Sequence, residues 1–409
     1  MQYPTIVLHS FPPSLLADRQ RHEACTSRYP LSIPTRWPQW GEEVHALPQA
    51  VRFELRDQDK LHIPKLLPRL LFSSVIRSTH QGESHGGLYL ADLRNGETEQ
   101  VLDWNDAAIN WEGRGADRGL RGIAFHEGHV YLAASDEVFV YDTSFQLARS
   151  FRNRYLKHCH EIHVGDGRLF LTSTGFDSIL EYDLQRQEFS AGYCVRFGRF
   201  RRPLRRGSVE FRPLPRLSVF DPNRSGGPRV ADTAHVNSVR FSSGSLFVSG
   251  TRLGHLLQIQ DGSVRSWARI PYGSHNAQPF RGGVLLNQTE AQVITYLDRR
   301  NRVRRSFRVP SLDPAKLTNA SLPSDHARPG FARGLAPLRG RLLAAGSSPA
   351  TVSLYHWEQT EPISSLSVTF DVRNAVHGLE WWPFDREGIS PDDVYQTSDR
   401  DIDPLSEPT

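Results

Sequence analysis

Cysteine is scarce in this chain. Cys25, Cys159 and Cys194 are an odd number at no metal-ligand spacing, which argues against a disulfide framework and for reduced thiols in the cytoplasm. Apolar runs are only strand-sized, so no membrane-spanning helix and no membrane partner are expected. The opening Met1-Gln-Tyr-Pro-Thr-Ile-Val-Leu-His9 has neither a basic region nor a long apolar one, so no secretory signal is expected. Lysine is almost missing: Lys60, Lys65, Lys157 and Lys316 stand against 45 arginines, within a net charge of +4. Arginine's planar fork of donors suits sulfate, phosphate and carboxylate better than an ammonium does.

What the chain has in quantity is a repeat. A short phrase occurs six times, as Arg121-Gly-Ile-Ala-Phe125, His160-Glu-Ile-His-Val164, Asn237-Ser-Val-Arg-Phe241, Asn276-Ala-Gln-Pro-Phe280, Arg333-Gly-Leu-Ala-Pro337 and His377-Gly-Leu-Glu-Trp381. After each of the first five come a Gly-containing turn and a β-rich run. From Gly119 to Asn153 the order is phrase, turn, strand His129–Ala134, strand Glu137–Asp142, then Phe145–Phe151, which reads as four short strands. The sixth phrase lacks its followers. Strands of the right kind lie at the other end, at Arg69–Ile76, Gly87–Asp92 and Glu99–Asp103. The prediction is an all-β fold, a six-bladed β-propeller closed by pairing N-terminal strands with the C-terminal strand, which leaves no open edge.

The phrases start 39, 77, 39, 57 and 44 residues apart. The long gaps mark insertions at 195–233 and 310–329, read as lids, binding loops or disordered segments. The propeller is placed at 66–385, between an N-terminal extension, 1–65, packing on or beside it and a tail at 386–409. The run Arg196–Arg206 reads as a solvated or lid loop, and nucleic acid is not an expected partner. Trp381 and Trp382 are expected to pack between blades. Gly122, Gly334 and Gly378 are expected to let backbones approach near the axis.

In a propeller the first strand of each blade lines the central channel, and its opening residue sits near one mouth. Arg121, His160, Asn237, Asn276, Arg333 and His377 would therefore converge. His235 and His275, in the loops entering their strands, would reach the same mouth. Glu161 follows His160, and Arg252 follows the second strand of its blade. Such a set makes a positive, donor-rich pocket for a small anionic or polar substrate. Two chemistries fit it. In one, needing no cofactor, a histidine among His275, His235, His160 and His377 is nucleophile or general base. Arg121, Arg333, Arg252, Asn237, Asn276 and Glu161 then hold the substrate. In the other, His160, His235, His275 and His377 bind iron, copper or zinc for an oxygenase, lyase or isomerase. A third reading is a non-catalytic ligand-binding or scaffold propeller, whose axial polar groups only satisfy one another.

Two stretches carry a more specific resemblance. Ala234-His-Val-Asn-Ser-Val-Arg-Phe241, followed by Leu246-Phe-Val-Ser-Gly-Thr-Arg252, resembles the His-x-Asn-Ser and Ser-Ser-Arg elements of bacterial arylsulfate sulfotransferases. The resemblance implies a six-bladed propeller that transfers a sulfuryl group through a histidine at an axial His/Arg/Asn site. On it, His235, Asn237 and Arg252 match that stretch, His160 matches a His-Asp-Ile element, and His275 matches the nucleophile. Separately, Gly330-Phe-Ala-Arg-Gly-Leu-Ala336 and Ser274-His-Asn-Ala-Gln-Pro279 resemble motifs of an uncharacterised family of bacterial propeller proteins.

Overall fold

Burial sorts the strands by position. Gly87–Asp92, His129–Ala134, Glu137–Asp142 and Leu342–Ser347 bury nearly every residue, as strands covered on both faces must. Leu147–Arg152 and Val303–Arg308 are largely exposed, as solvent-side strands are. The computed structural model describes residues 67–80, 83–105, 119–203, 209–323, 328–338 and 341–384, and the backbone of 51–52. Side chains of 198–203 and 209–214 lie outside that description. The chain divides into two compact units, 1–46 and 47–409. The first unit, the rest of the expected 1–65 extension apart from 51–52, and the expected tail at 386–409 lie outside the described residues.

Six antiparallel sheets make the six blades. Strands are numbered in chain order, with β1 at Val51–Arg52. Blade 1 is β2 (Leu70–Ile76), β3 (Gly87–Asp92) and β4 (Glu97–Asp103), with β26 (Asn374–Trp381) on its inner side. Blade 2 is β5 (Ile123–His126), β6 (His129–Ala134), β7 (Glu137–Asp142) and β8 (Leu147–Arg152). Blade 3 is β9 (Ile162–Gly165), β10 (Arg168–Ser173), β11 (Ser178–Asp183), β12 (Glu188–Pro203) and β13 (Val209–Phe220). Blade 4 runs β14 (Val236–Ser242), β15 (Ser245–Gly250), β16 (His255–Gln260), β17 (Ser263–Arg269). Blade 5 runs β18 (Ser274–Phe280), β19 (Gly283–Gln288), β20 (Val293–Leu297), β21 (Val303–Arg308). Blade 6 runs β22 (Arg333–Leu338), β23 (Leu342–Ser347), β24 (Thr351–His356), β25 (Ser364–Ser367), with β1 beyond.

The inner strands touch in cyclic order, β5, β9, β14, β18, β22, β26 and back to β5. Each apolar core is correspondingly a layer between two blades. Phe72, Leu354 and Trp381 belong to the layer between blades 6 and 1; Tyr131, Leu171 and Leu180 to that between blades 2 and 3. Trp381 packs against blade 6 and donates its indole N–H to the Ala336 carbonyl at 3.1 Å, while Trp382 packs toward blade 2 against Phe125 and Phe145.

One expectation is corrected. The start of the 195–233 insertion is not a loop: β12 continues past the blade and pairs with β13 from Gly192↔Phe220 out to Pro203↔Val209. Alternating chain with β-branched and aromatic residues prefers this ladder, which satisfies backbone groups a long loop would leave to water. The base of the ribbon is anchored by Val195, Phe197 and Leu217 in the apolar layer shared with blade 4. The 310–329 insertion holds only a short 3-10 turn, Pro314–Lys316, and a bridge from Thr318 to Asp371 among its described residues.

Candidate functional site

The recurring phrases sit where inner strands open, but their local geometry differs. Arg121 and His160 stand just ahead of β5 and β9, Arg333 opens β22, and His377 lies within β26. His235 immediately precedes β14, whereas His275 lies inside β18 rather than in the entering loop. The ladder slips at Val236/Ser238, His275/Gln278, Arg333/Leu335 and Phe72/Ser74, so four blades carry a bulge here. Bulges re-aim side chains. Asn276 (φ +51°) and Gly334 (φ +77°) take the left-handed backbone that two of them require. Gly122 and Gly378 serve close approach: a Cβ on Gly378 would stand 2.1 Å from the Arg121 carbonyl, and one on Gly122 2.8 Å from that of His160.

Two histidines are held by the same device. His160 Nδ1 is 2.9 Å from the His158 carbonyl and 2.9 Å from Thr174 Oγ1, which itself donates to the Val236 carbonyl. His275 Nδ1 is 3.2 Å from the Gly273 carbonyl and 2.8 Å from Thr289 Oγ1, which donates to the Ala332 carbonyl. A carbonyl only accepts, so each Nδ1 carries the proton and each Nε2 keeps its lone pair. Their fates differ. Arg121 Nη1 lies 2.8 Å from His160 Nε2 and donates to it. His275 Nε2 has no hydrogen-bond partner among the described residues.

The surrounding charge is positive. Arg121 is only 1% exposed, an unusual place for a guanidinium. Arg333 Nη1 lies 3.2 Å from Nδ1 and 3.4 Å from Nε2 of His377. The Phe331 ring carries the guanidinium carbons of Arg77, Arg328 and Arg333 at 4.6, 4.4 and 4.6 Å, and His275 lies 6.2 Å from it. Arg328 is neutralised by a two-bond pair with Glu290. Burial first, then these arginines, hold His160, His275 and His377 well below the usual imidazole range. All three are neutral at physiological pH.

Glu161 crosses the channel. Asn276 Nδ2 donates to its Oε1 at 2.7 Å, while Asn276 Oδ1 accepts from Asn287 Nδ2 and from the Gly334 N–H. Burial pushes the Glu161 carboxyl up to about 8 against the pull of Arg240, with Glu380 adding to the rise. Arg240 pairs with Glu380 at 2.9 Å, and His163 lies buried near them. These three residues sit three places beyond Asn237, His377 and His160 in the sequence, and Arg240 and Glu380 act on the Glu161 carboxyl.

Sequence reasoning named His160, His275, Arg121, Arg333, His377, Asn276 and Glu161, and the fold brings them into one network. His235 joins its edge, with its ring 5.4 Å from that of His160. Asn237 is buried and donates to the Ser274 carbonyl at 3.4 Å, so it braces blade 5. Arg252 is exposed, donating to the Asp232 carbonyl at 2.5 Å. Thr174, Thr289, Asp177, Asp232, Arg77, Arg240, His163 and Glu380 were missed. A signal for the threonines was present: each lies 14 residues after its histidine. Among the described residues no three His, Cys, Asp or Glu side chains form a group that could hold a metal ion. His160, with its Nε2 lone pair taken by Arg121, does not fit the four-histidine centre in this arrangement.

No family model matches this chain, and no curated protein does. Among solved structures it is similar to a protein of unknown function from Bacteroides caccae, at 12% identity and a TM-score of 0.47, over 76% of this chain and 98% of that one. It is also similar to the Dos1 propeller, at 14% identity and a TM-score of 0.40, over 75% of this chain and 87% of that one. A virginiamycin B lyase from Staphylococcus aureus aligns at 11% identity and a TM-score of 0.35, over 64% of this chain and 95% of that one.

Proposed function

We propose that this propeller is a group transferase whose axial mouth binds a small anionic ester and whose His275 carries the transferred group, sulfuryl or a similar oxyanion group. The observation that supports this most is the Nε2 of His275, which has no hydrogen-bond partner among the described residues. The imidazole is neutral and its tautomer is held, so a lone pair stands on Nε2. Arg333 is the donor suited to the oxygens of the group in flight, while buried Arg121 holds His160 and adds to the positive field; such transfers depend mainly on positioning and charge. Asn276, whose amide is engaged at both ends, and Asn237, whose Nδ2 donates to the Ser274 carbonyl, shape the mouth rather than grip the ligand. The buried free thiols of Cys159 and Cys194 accord with a cytoplasmic protein.

The test uses 4-nitrophenyl sulfate and 4-nitrophenyl phosphate as donors. The wild-type protein should release a burst of nitrophenolate equal to the protein present, and peptide mass mapping should place the adduct on His275. His275→Gln should lose both. A stoichiometric bound iron, copper or zinc, lost on His377→Ala, would replace this reading with a metal centre. Sulfate binding without turnover of any donor would leave a ligand-binding propeller.

A further inference from the structure

His235 differs from the other axial histidines in what it leans on. Its Nδ1–H faces a carboxylate: Asp232 Oδ1 and Oδ2 lie 2.9 and 3.1 Å away. His160 and His275 face only neutral oxygens. Nε2 of His235 has no hydrogen-bond partner among the described residues, and a quarter of the side chain is exposed. The loop presenting it is held hard. Buried Asp177 accepts from Thr233 N–H, Thr233 Oγ1, Ala234 N–H and His235 N–H at 2.9, 2.6, 2.9 and 3.1 Å. His235 itself takes a left-handed backbone, φ +51°, a conformation that persists only where the surroundings impose it. Beneath it, a Cβ on Gly250 would stand 2.4 Å from the Ala234 carbonyl and 2.6 Å from the His235 carbonyl. Arg252 donates to the Asp232 carbonyl and also lies 3.7 Å from its carboxylate.

A carboxylate on one ring nitrogen with the other nitrogen free is the arrangement of a proton carrier, because the carboxylate stabilises the imidazolium formed on proton uptake. A buried imidazole among arginines with neutral oxygens on Nδ1 is suited instead to staying neutral and attacking. We infer that Asp232 and His235 form the acid–base dyad of the transfer, with His235 moving the proton and Asp232 positioning it. This inference rests on the transferase reading given above.

The two steps balance. In the first, the His275 Nε2 lone pair bonds to the group X of a donor R–O–X. The O–X bond breaks, and the departing oxygen takes a proton from His235 Nε2. In the second, an acceptor hydroxyl R′–OH gives its proton to His235 Nε2 as its oxygen bonds to X. The N–X bond breaks and its electron pair returns to His275. The net change is R–O–X plus R′–OH giving R–OH plus R′–O–X, with both histidines restored.

The two half-reactions separate the dyad from the nucleophile. Nitrophenolate leaves 4-nitrophenyl sulfate without needing a proton, so Asp232→Asn and His235→Gln should still acquire the adduct on His275, losing far less of that rate than of the rate of the second step. Transfer from that adduct to phenol should fall about a hundredfold or more. A more acidic phenol, such as pentafluorophenol, should recover most of the lost rate, which a merely structural defect would not allow. An adduct on wild-type His275 with unchanged transfer to phenol in both variants overturns the dyad and leaves the nucleophile standing. No adduct on the wild-type protein overturns both readings.

Discussion

Replacing Glu161 by Gln should change how stability depends on pH, and burial sets the sign. In the folded protein the carboxyl keeps its proton up to about pH 8; unfolded, it ionises near its ordinary 4.5. Between those values the folded state binds more protons than the unfolded one, so stability falls as pH rises through that window and levels off above it. At ~1.4 kcal/mol per pH unit, the full shift is worth about 5 kcal/mol. Water at the mouth screens part of it, which leaves roughly 2–3 kcal/mol. Gln keeps an oxygen for the Asn276 amide and removes the titration. Urea denaturation at about pH 5 and about pH 9 should show wild type losing roughly 2 kcal/mol more than Glu161→Gln over that interval. Parallel pH profiles for the two proteins would refute the claim that the channel holds a neutral acid.

Other expectations follow from single contacts. Gly378→Ala should destabilise by about 3 kcal/mol, because its new methyl collides with the Arg121 carbonyl, a backbone atom of the next blade; an unchanged urea midpoint would show that the blades do not approach this closely. Asp177→Ala leaves the N–H groups of Thr233, Ala234 and His235 without their acceptor and should cost ~3 kcal/mol; hydrogen exchange should accelerate selectively at those amides. Nitrogen-15 NMR should find His160 and His275 as neutral Nδ1–H tautomers across the physiological range; an imidazolium signal from either at neutral pH would contradict the hydrogen bonds described.

The fold was legible because its signals are local and repeated. Apolar runs at His129–Ala134 and Leu342–Ser347 announce strands buried on both faces, and the orphaned His377 phrase has its missing partners in the Leu70–Asp103 segment. The axial cluster followed from that geometry alone. What stayed hidden depends on a one-residue slip. Nothing local distinguishes His275, inside its strand, from His160, ahead of its own, until the bulge at Asn276 is seen. The Asp232–His235 pairing was hidden for a related reason: three-residue spacing means little in a loop until Asp177 folds it back. Arg240 and Glu380 stood inside the recurring phrases, yet only the closed ring makes two residues so distant in sequence an ion pair.

The inner strand of blade 1 is the last of the six to leave the ribosome. His377 and Glu380 ride on β26, so Arg333 meets His377 and Arg240 meets Glu380 only when that strand docks beside Leu70–Ile76. A nascent chain with five inner strands therefore leaves the inner edge of blade 1 open and lacks the Glu380 carboxylate that pairs with Arg240. Competence and closure arrive in one event, so a truncated translation product lacks the complete site and presents an unpaired strand edge, a template for pairing with other chains.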